Sequence, residues 1–343
     1  MAVPSSSAKE TIKTRILIIS DTHNRPLQDA SHTQPFRQPL PSADVLIHCG
    51  DMTMTGLLDE YHATLDTLAQ SDAPLKLVIA GNHDRTLDKT WMQSHTHIQK
   101  DEYAAARDLW TSSTGRATRE SVTFLDEGVH SFRLANGANL TVYASPYTPE
   151  FWDWGFPYEH HEDRFNDPAA SLSDATNIAE NPVPAFDEQR RVDVMITHGP
   201  PFGHMDRTVR GDHVGCPHLL RALMRARPLI HCFGHIHEGW GAEVVSWFEE
   251  TRDVVERPCS MEEWTMDGEW MKGMLNPIRT VQTDLERAAK DRCVRVDVTD
   301  GSEMQVKSGE QTLLVNAAIV DVDYKPVNAP FLVEVDLPRT IKG

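Results

Sequence analysis

The sequence has no hydrophobic run that approaches the roughly 18 residues that a membrane-spanning helix needs. Its first residues, MAVPSSSAKETIKT, also lack the apolar core of a secretory signal. Positive charge is scarce, since 33 Lys and Arg stand against 51 Asp and Glu, which gives a formal net charge of −18. Nucleic-acid polymers are bound through basic patches that replace counterions. We therefore expect a cytoplasmic protein with no membrane association and no nucleic-acid polymer bound by its general surface.

Cysteine pairs at the spacings of disulfide or zinc frameworks are missing as well. The five cysteines are odd in number and widely spaced, and they contain no C-x-x-C motif. This favours reduced, mostly buried thiols, as in a cytosolic compartment. The motifs G-x-S-x-G, H-E-x-x-H, G-x-G-x-x-G and the Walker A loop do not occur. These absences argue against the enzyme classes that depend on those motifs.

Five short apolar runs each end at residues that can bind a metal ion. Such runs are typical of buried strands, and the loops at the carboxyl ends of strands in open α/β sheets converge on one crevice. In VLIHCGD, 45–51, a glycine lets the backbone turn so that Asp51 projects at the strand end. The runs RILIIS, VLIHC, LKLVIA, DVMIT and LIHCF are followed respectively by Asp21 and His23, by Asp51, by Asn82, by His198, and by His235 and His237. We expect these side chains to share one site.

The organisation of the chain is predicted to be simple. Residues 1–14 are polar and are expected to form a flexible tail, and 15–343 a single domain. The segment 242–311 stands apart because it holds 16 acidic against 9 basic residues, together with scattered tryptophans. We interpret it as an inserted, partly helical segment. Its composition is compatible with a lid over the site, a contact in a homo-oligomer or an exposed face.

The seven candidates offer two carboxylates, one amide and four imidazoles. One ion is satisfied by about four such ligands, so seven ligands with one shared carboxylate suit two metal ions. Asp51 is predicted to bridge them, because a carboxylate has lone pairs on two oxygens. Two divalent ions and two carboxylates leave a charge of about +2, and a bridging hydroxide would still leave about +1. We therefore expect a small anionic ester as substrate, and displacement at phosphorus as the chemistry.

His83 follows Asn82 directly and cannot easily face the same metal ion. We assign it to the leaving-group side, as a general acid or a donor to the transition state, with Asp84 as the partner that orients it. The alternative is that His83 makes only a structural hydrogen bond.

These motifs resemble those of the calcineurin-like metallophosphoesterase family: D-x-H at 21–23, GD at 50–51, GNHD at 81–84, THGPP at 197–201 and GHIH at 234–237. They occur in the family order across most of the chain. IAGNHDRTLD, SPYTPEFWDWGF, THGPPFGHMD and FGHIHEGWG look like a closer branch of small metallophosphoesterase-domain proteins, whose relatives act on cyclic nucleotides and other phosphodiesters. The match weakens at 242–310, where relatives pass quickly to the VNAA strand, and this leaves the substrate open.

The resemblance also implies a fold and two sets of ligands. The implied fold is an α/β, four-layer αββα sandwich with two mixed β-sheets flanked by helices. The implied ligands are Asp21, His23, Asp51 and His237 for one ion, and Asp51, Asn82, His198 and His235 for the other.

Four further residues lie near the motifs in sequence and are candidates for substrate contact. Arg85 and Arg207 could clamp phosphate oxygens, although for each of them we favour a solvated loop position. Trp152 and Trp154 could stack on a flat leaving group. We favour packing between the sheets for both tryptophans, because aromatic residues often fill cores.

Three functional hypotheses follow. The first is a dinuclear metal-dependent phosphoric ester hydrolase, a phosphodiesterase in which a metal-bridging hydroxide attacks small organic phosphate esters. Mn is favoured, although Fe, Zn, Co and Ni also suit such ligands. The second keeps the two metals and redirects the site to a non-phosphate substrate in specialised metabolism. The third is a non-catalytic scaffold, against which the intact set of ligands argues.

Overall fold

Apolar runs alternate with polar loops along most of the chain, and the runs become strands. The structure, a computed structural model, describes residues 10–95, 100–188, 191–247, 260 and 278–339. The strands in this part of the chain are β1 (Thr11–Ile19), β2 (Val45–His48), β3 (Leu75–Val78), β4 (Val122–Phe124), β5 (Gly128–Arg133), β6 (Asn139–Ser145), β7 (Thr148–Pro149), β8 (Pro157–Tyr158), β9 (Glu162–Asp163), β10 (Thr176–Asn177), β11 (Val194–Thr197), β12 (Ile230–Phe233), β13 (Gly241–Ser246), β14 (Arg279–Thr280), β15 (Val294–Asp297), β16 (Gln311–Asn316) and β17 (Phe331–Pro338).

Two mixed sheets contain most of these strands. The six-stranded sheet has the order β15-β17-β1-β2-β3-β4, and its strands β1 to β4 are parallel to one another. The seven-stranded sheet has the order β14-β13-β16-β12-β11-β6-β5, with β16, β12, β11 and β6 parallel. Parallel strands point their carboxyl ends to one edge, so both sheets can supply loops to a common site.

The helices are α1 (Leu58–Leu68), α2 (Lys89–Ser94), α3 (Lys100–Thr111), α4 (Arg116–Arg119), α5 (Pro217–Ala226) and α6 (Leu285–Asp291). Helices lie on the outer faces of both sheets, α1, α3 and α4 against the six-stranded sheet and α5 against the seven-stranded sheet, whereas α6 packs against the cluster between the sheets. Helix α1 begins where the Glu60 side chain accepts the Leu57 backbone N–H, and α5 begins with a proline at its first position. None of the helices in the described part of the chain combines the length and apolar character that crossing a membrane requires.

The core lies in three layers, because alternate residues of each strand face opposite sides of its sheet. Ile16 and Ile18 of β1 pack between the sheets with residues of the seven-stranded sheet such as Ile196. Their neighbour Leu17 faces the other way and packs on a cluster that includes Leu65 of α1. A third cluster joins the outer face of the seven-stranded sheet to α5 and to parts of 143–192. The fold is therefore the four-layer α/β sandwich that the resemblance implies.

The two sheets are joined directly at the edge where the motifs lie. Ser20, just after β1, forms a bridge with Ala318, just after β16, through hydrogen bonds of 2.9 Å from Ser20 N to Ala317 O and from Ile319 N to Ser20 O. Backbone contact between sheets at this point brings the loops of both within reach of one another.

The structure places the end of the N-terminal tail differently from the sequence prediction. Strand β1 begins at Thr11 rather than at Arg15, because β17 extends to Pro338 and Thr11 pairs with it. Residues 11–14 therefore belong to the sheet and not to the tail, whose remaining residues 1–9 lie outside the described part.

The acidic segment 242–311 contributes strands to both sheets. Strand β13 pairs with β16, and β15 pairs with β17. Trp247 is buried, and its indole N–H donates to Thr312 Oγ1. Residues 248–259 and 261–277, with the other two tryptophans, lie outside the described residues.

Candidate metal centre

The seven predicted side chains come from loops at the carboxyl ends of five strands. Asp21 and His23 follow β1, Asp51 follows β2, and Asn82 follows β3. His198 follows β11 of the other sheet, and His235 and His237 follow β12. The structure brings all seven together, so both sheets contribute to one site.

Four imidazole rings of the site are oriented by the same kind of hydrogen bond. In each, Nδ1 lies on a backbone carbonyl oxygen, which can only accept, so Nδ1 carries the proton. The pairs are His23 with Thr53 O at 3.1 Å, His83 with Met54 O at 2.8 Å, His198 with Cys49 O at 2.9 Å and His237 with Asp321 O at 3.1 Å. This leaves Nε2 of each ring turned toward the others, which is how metal-binding histidines are commonly oriented.

The Nε2 atoms and the two carboxylates lie close enough to share cations. His23 Nε2 lies 3.3 Å from His237 Nε2 and 3.5 Å from Asp51 Oδ2. His237 Nε2 lies 3.4 Å from an oxygen of Asp21. His198 Nε2 lies 3.3 Å from Asp51 Oδ1. Asp51 therefore faces the two halves of the site with different oxygens.

Asn82 and His235 complete the half around His198. Asn82 Oδ1 lies 2.9 Å from His198 Nε2. The His235 ring stands edge-on to the His198 ring at 5.0 Å, and a ring nitrogen of His235 lies within 4.8 Å of ligand atoms of Asp51 and His198. The backbone N–H of His235 also donates to both oxygens of Asp21 at 3.0 Å, which links the two halves.

Burial and the neighbouring histidines set the charges of the two acids. Burial would raise the pKa of Asp21, but the hydrogen bond and charge of His237 outweigh it and lower the pKa to about 2. Burial would likewise raise the pKa of Asp51, but the charges of His198 and His83 hold it well below its usual range. Both carboxylates are therefore anionic at neutral pH.

The histidines divide into two kinds. Burial lowers the pKa of His23 to about 4 and that of His235 to about 3, so both rings are neutral at pH 7. Burial would lower the pKa of His198 too, but Asp51 raises it to about 9. A cation bound there would displace the proton, because a ligating imidazole must offer a free lone pair.

The backbone of the site is strained at its ligands. Asp21, His23, Asp51 and His235 have φ of 49°, 42°, 53° and 65°, in the left-handed region that side chains other than glycine rarely adopt. Such conformations persist only where the surroundings enforce them, and they cluster at functional sites. Gly234 leaves no room for a side chain, since a Cβ there would lie 1.8 Å from Asp21 Oδ2.

Asp84 does not orient His83, so that prediction is wrong. Its carboxylate accepts the backbone N–H groups of Gly81 at 2.8 Å, Met52 at 3.2 Å and Thr53 at 3.0 Å, and the Thr53 hydroxyl at 2.7 Å. Asp84 thus ties the loop after β2 to the loop after β3. The orienting partner of His83 is the carbonyl of Met54.

The His83 ring is held between other rings. Trp154 stacks on it at 3.9 Å between ring centroids, and His23 meets it edge-on at 4.6 Å. Its Nε2 lies 4.0 Å from Asp51 Oδ2. Trp154 therefore packs on a site histidine, and the prediction that it packs between the sheets is wrong. Trp152 is 80% exposed, so the packing favoured for it is wrong as well, and it stacks on exposed Phe151.

The two predicted arginines differ in their relation to the site. The Arg85 guanidinium lies 5.0 Å from the ring centre of Trp91 and 5.2 Å from that of Trp154, and its Nε and Nη2 reach Thr55 O at 3.4 Å. Through Trp154 it adjoins His83. Arg207 is exposed and contacts His213, with 3.3 Å between Nη2 and Nε2.

Tyr324 is a residue of the site that sequence reasoning missed. Its ring meets His23 edge-on at 4.8 Å and His237 at 5.6 Å. Burial, and then the charges of Asp51 and Asp21, raise the pKa of its phenol. It lies in the loop after β16, in the stretch DVDYKP, which carries no metal-binding motif that would single it out.

The residues present fit the binding of divalent cations. His23 and His237 each carry a proton on Nδ1, so the Nε2 atom of each ring has a free lone pair. The two Nε2 atoms lie 3.3 Å apart, and their lone pairs would repel each other unless a proton or a cation lay between them. Ionised carboxylates lie beside both halves. Imidazole and carboxylate donors in this number suit first-row divalent metals.

Comparison with known proteins agrees with this geometry. The sequence model of the family described as calcineurin-like phosphoesterase matches residues 14–239. The chain is 34% identical over 257 residues to a protein of Emericella nidulans described as probable rhamnogalacturonate lyase C, which covers 74% of this chain and 19% of that protein. It is 33% identical over 252 residues to human metallophosphoesterase domain-containing protein 1, which covers 70% of this chain and 65% of that protein.

The chain thus spans about a fifth of the first relative and just under two thirds of the second. Among solved structures it is similar to phosphopantetheinyl hydrolase from Mycobacterium tuberculosis, with a TM-score of 0.37 and 14% identity over 79% of this chain and 97% of that one. The family match covers every strand ending that supplies the site, and the family uses divalent metal ions. The chain belongs to the calcineurin-like phosphoesterase family.

Proposed function

We propose that this protein is a two-metal phosphodiesterase that hydrolyses small organic phosphate esters, with manganese as the favoured metal. The observation that carries the proposal is the set of inward-facing Nε2 atoms around Asp51, each fixed by a backbone carbonyl on Nδ1. Histidine rings oriented in this way, around a carboxylate, are typical of sites that bind a metal cation.

Asp21, His23, Asp51 and His237 would hold one ion, and Asp51, Asn82, His198 and His235 the other. The two oxygens of Asp51, one 3.5 Å from His23 Nε2 and the other 3.3 Å from His198 Nε2, support its role as the shared ligand. Two divalent ions bound there would supply Lewis acidity at phosphorus and lower the pKa of the attacking water.

His83 would act on the leaving group. Met54 O holds the Nδ1 proton, Trp154 covers one face of the ring, and Nε2 is left to hold or give a proton at the site. A general acid needs this kind of fixed geometry before its pKa matters.

Charge favours an anionic substrate of limited size. Two cations among two carboxylates leave a local charge of about +2, whereas the whole chain carries −18 and would repel a long polyanion. Arg85 lies on the His83 side of the site, next to Trp154, and would contact an anionic or flat part of the leaving group. Arg207 is exposed and would contribute less.

The test is metal content and hydrolysis of bis(p-nitrophenyl) phosphate, with Mn and then Zn, Co and Ni, for the wild type and Asp51→Asn. We expect two ions per chain and turnover in the wild type, and loss of both in the variant. Asp59→Asn, the same change at an exposed position of α1, is the matched control and should behave as the wild type. Turnover by chelated protein or full activity of Asp51→Asn would contradict the proposal.

A further inference from the structure

Tyr324 lies at the site without being one of its ligands. Its ring contacts three site histidines edge-on, His23 at 4.8 Å, His237 at 5.6 Å and His83 at 6.3 Å between ring centroids. The side chain is only half-buried, so part of it is accessible to solvent.

A short turn holds Tyr324 in this place. The backbone N–H of Tyr324 donates to Asp321 O at 2.9 Å, and the same carbonyl accepts Nδ1–H of His237 at 3.1 Å. Asp321 Oδ1 accepts the backbone N–H groups of Asp323 and Lys325, both at 2.9 Å. The turn that presents Tyr324 is therefore also the turn that orients His237.

The conformation of Tyr324 is costly. Its φ is 59°, in the left-handed region, where a bulky side chain loses about 1 kcal/mol or more. A glycine or asparagine would satisfy the same turn more easily. Edge-on contacts with the histidines offset some of this strain, and a contact made by the hydroxyl would be a further use of the side chain.

The hydroxyl supplies that use. Among the residues that the structure describes, none forms a hydrogen bond with it, so its donor is available to a ligand. A phenol, with an ordinary pKa near 10, is a neutral donor at pH 7. Beside two cations, a neutral donor can approach a phosphate oxygen without the charge repulsion that Lys or Arg would meet.

We propose that the Tyr324 hydroxyl donates a hydrogen bond to a phosphoryl oxygen of the substrate, on the His23 and His237 side of the site. Trp154 borders His83, and Tyr324 borders His23, so the two rings flank the reacting group. The inference rests on the proposed function, because it assumes that a phosphoryl group occupies this space. Tyr324 is then a substrate-binding residue that the motifs of the family do not include.

The test compares Tyr324→Phe, which keeps the ring and removes the hydroxyl, with Tyr103→Phe, the same change on α3 in the outer layer. Binding of inorganic phosphate to protein with verified metal content is measured by calorimetry, beside kcat and KM for bis(p-nitrophenyl) phosphate. In Tyr324→Phe we expect phosphate to bind about tenfold more weakly and kcat/KM to fall by about tenfold, with metal content unchanged. Tyr103→Phe should match the wild type.

Phosphate affinity equal to the wild type in Tyr324→Phe, an equal loss in both variants, or loss of metal in Tyr324→Phe would overturn the inference. The two proposals fail separately. If the wild type hydrolyses no phosphodiester but Tyr324→Phe still weakens phosphate binding, the proposed activity is wrong and the Tyr324 contact stands. If hydrolysis occurs and phosphate affinity does not change, only the Tyr324 contact is wrong.

Discussion

At the scale of single residues, the site depends on which nitrogen of each histidine carries the proton. Backbone carbonyls of Thr53, Met54, Cys49 and Asp321 fix that choice. Three of these carbonyls belong to the loop after β2, so one loop orients histidines from three different strand ends. His83 shares this device with the predicted ligands, yet its environment differs, because Trp154 covers its ring.

The different role of His83 leads to a first prediction. In His83→Asn, kcat should fall by about a hundredfold while both metals stay bound, because the variant loses a proton donor and not a ligand. In His23→Asn, metal should be lost together with activity. Metal analysis and steady-state kinetics of the two variants separate the roles, and loss of metal from His83→Asn would place that residue among the ligands.

A second prediction concerns the glycine before His235. In Gly234→Ala, the new methyl group would lie 1.8 Å from Asp21 Oδ2 and 2.2 Å from Ser20 Oγ, so the ligand and the link between the sheets must move. We expect loss of metal and a fall of about 2 kcal/mol in the free energy of unfolding.

Gly203→Ala is the control for backbone strain alone. Gly203 has φ +80°, and a methyl group added there would have nothing within 4 Å, so the variant should lose about 1 kcal/mol and keep its metals. Normal metal binding by Gly234→Ala, measured in the same way, would show that Asp21 tolerates displacement.

The sequence predicted these residues unevenly, for a physical reason. Asp21, Asp51 and His198 follow apolar strands directly, so a local pattern was enough to find them. The partner of His83, the network of Asp84 and the approach of Tyr324 depend on contacts between residues far apart in the chain. No short stretch of sequence contains that information.

At the scale of elements, the loop 150–156 is hydrogen-bonded to the part of the chain that follows β3. Gly155 N donates to Asn82 O at 3.0 Å, and Phe156 N donates to the Asp88 carboxylate at 2.6 Å. His95, after α2, adds an ion pair to Asp153, with 2.9 Å between Nε2 and Oδ2. These contacts hold the Trp154 ring in its stacked position on the His83 ring.

The ion pair of this loop gives a prediction about pH. The carbonyl of Trp91, and then Asp153, raise the pKa of His95 above its usual value. The contact therefore contributes its stability below about pH 6.5 and loses it as the pH rises through the raised pKa. In Asp153→Asn the pKa of His95 should fall, but not completely, because the Trp91 carbonyl remains.

NMR titration of His95 in the wild type and in Asp153→Asn measures the change. Asp126→Asn, which removes an exposed carboxylate that pairs with Arg107, should leave the titration of His95 as it is. An unchanged pKa in Asp153→Asn would mean that the pair does not form in solution.

Strands could be predicted where the sequence contains a short, continuous apolar run. VLIH, within the run VLIHC, became β2, and NLTVYAS became β6, because buried strands leave a clear apolar run. Strands β13 and β15 were not predicted because they alternate buried residues with more exposed ones and therefore leave no continuous apolar run. They also lie in an acidic segment, whose excess of charge is not typical of buried strands. Strand β1 extends to Thr11 only because its partner β17 reaches Pro338, which local sequence cannot reveal.

At the scale of the whole molecule, the proposed ions would join two sheets. Asp21, His23, Asp51 and Asn82 lie on loops of the six-stranded sheet, and His198, His235 and His237 on loops of the seven-stranded sheet. A ligand that binds only the folded state stabilises it by mass action. At one hundred times its dissociation constant this amounts to about 2.7 kcal/mol.

Metal should therefore raise the midpoint of thermal unfolding by about 5 °C, and chelation should remove the increase. Calorimetry of chelated and metal-loaded protein measures the shift. Asp51→Asn should show little or no increase, whereas Asp59→Asn should show the full one. A wild type that binds metal without any increase would contradict the assignment of ligands to both sheets.

The position of β17 between β15 and β1 has a consequence for synthesis of the protein. Thr11 pairs with Pro338, which the ribosome adds 327 residues later. At about 5 to 20 residues per second, the edge of β1 waits roughly 20 to 60 s for its neighbour. During translation this edge of β1 stays exposed, and its backbone groups can pair with β17 only after Phe331–Pro338 has left the exit tunnel.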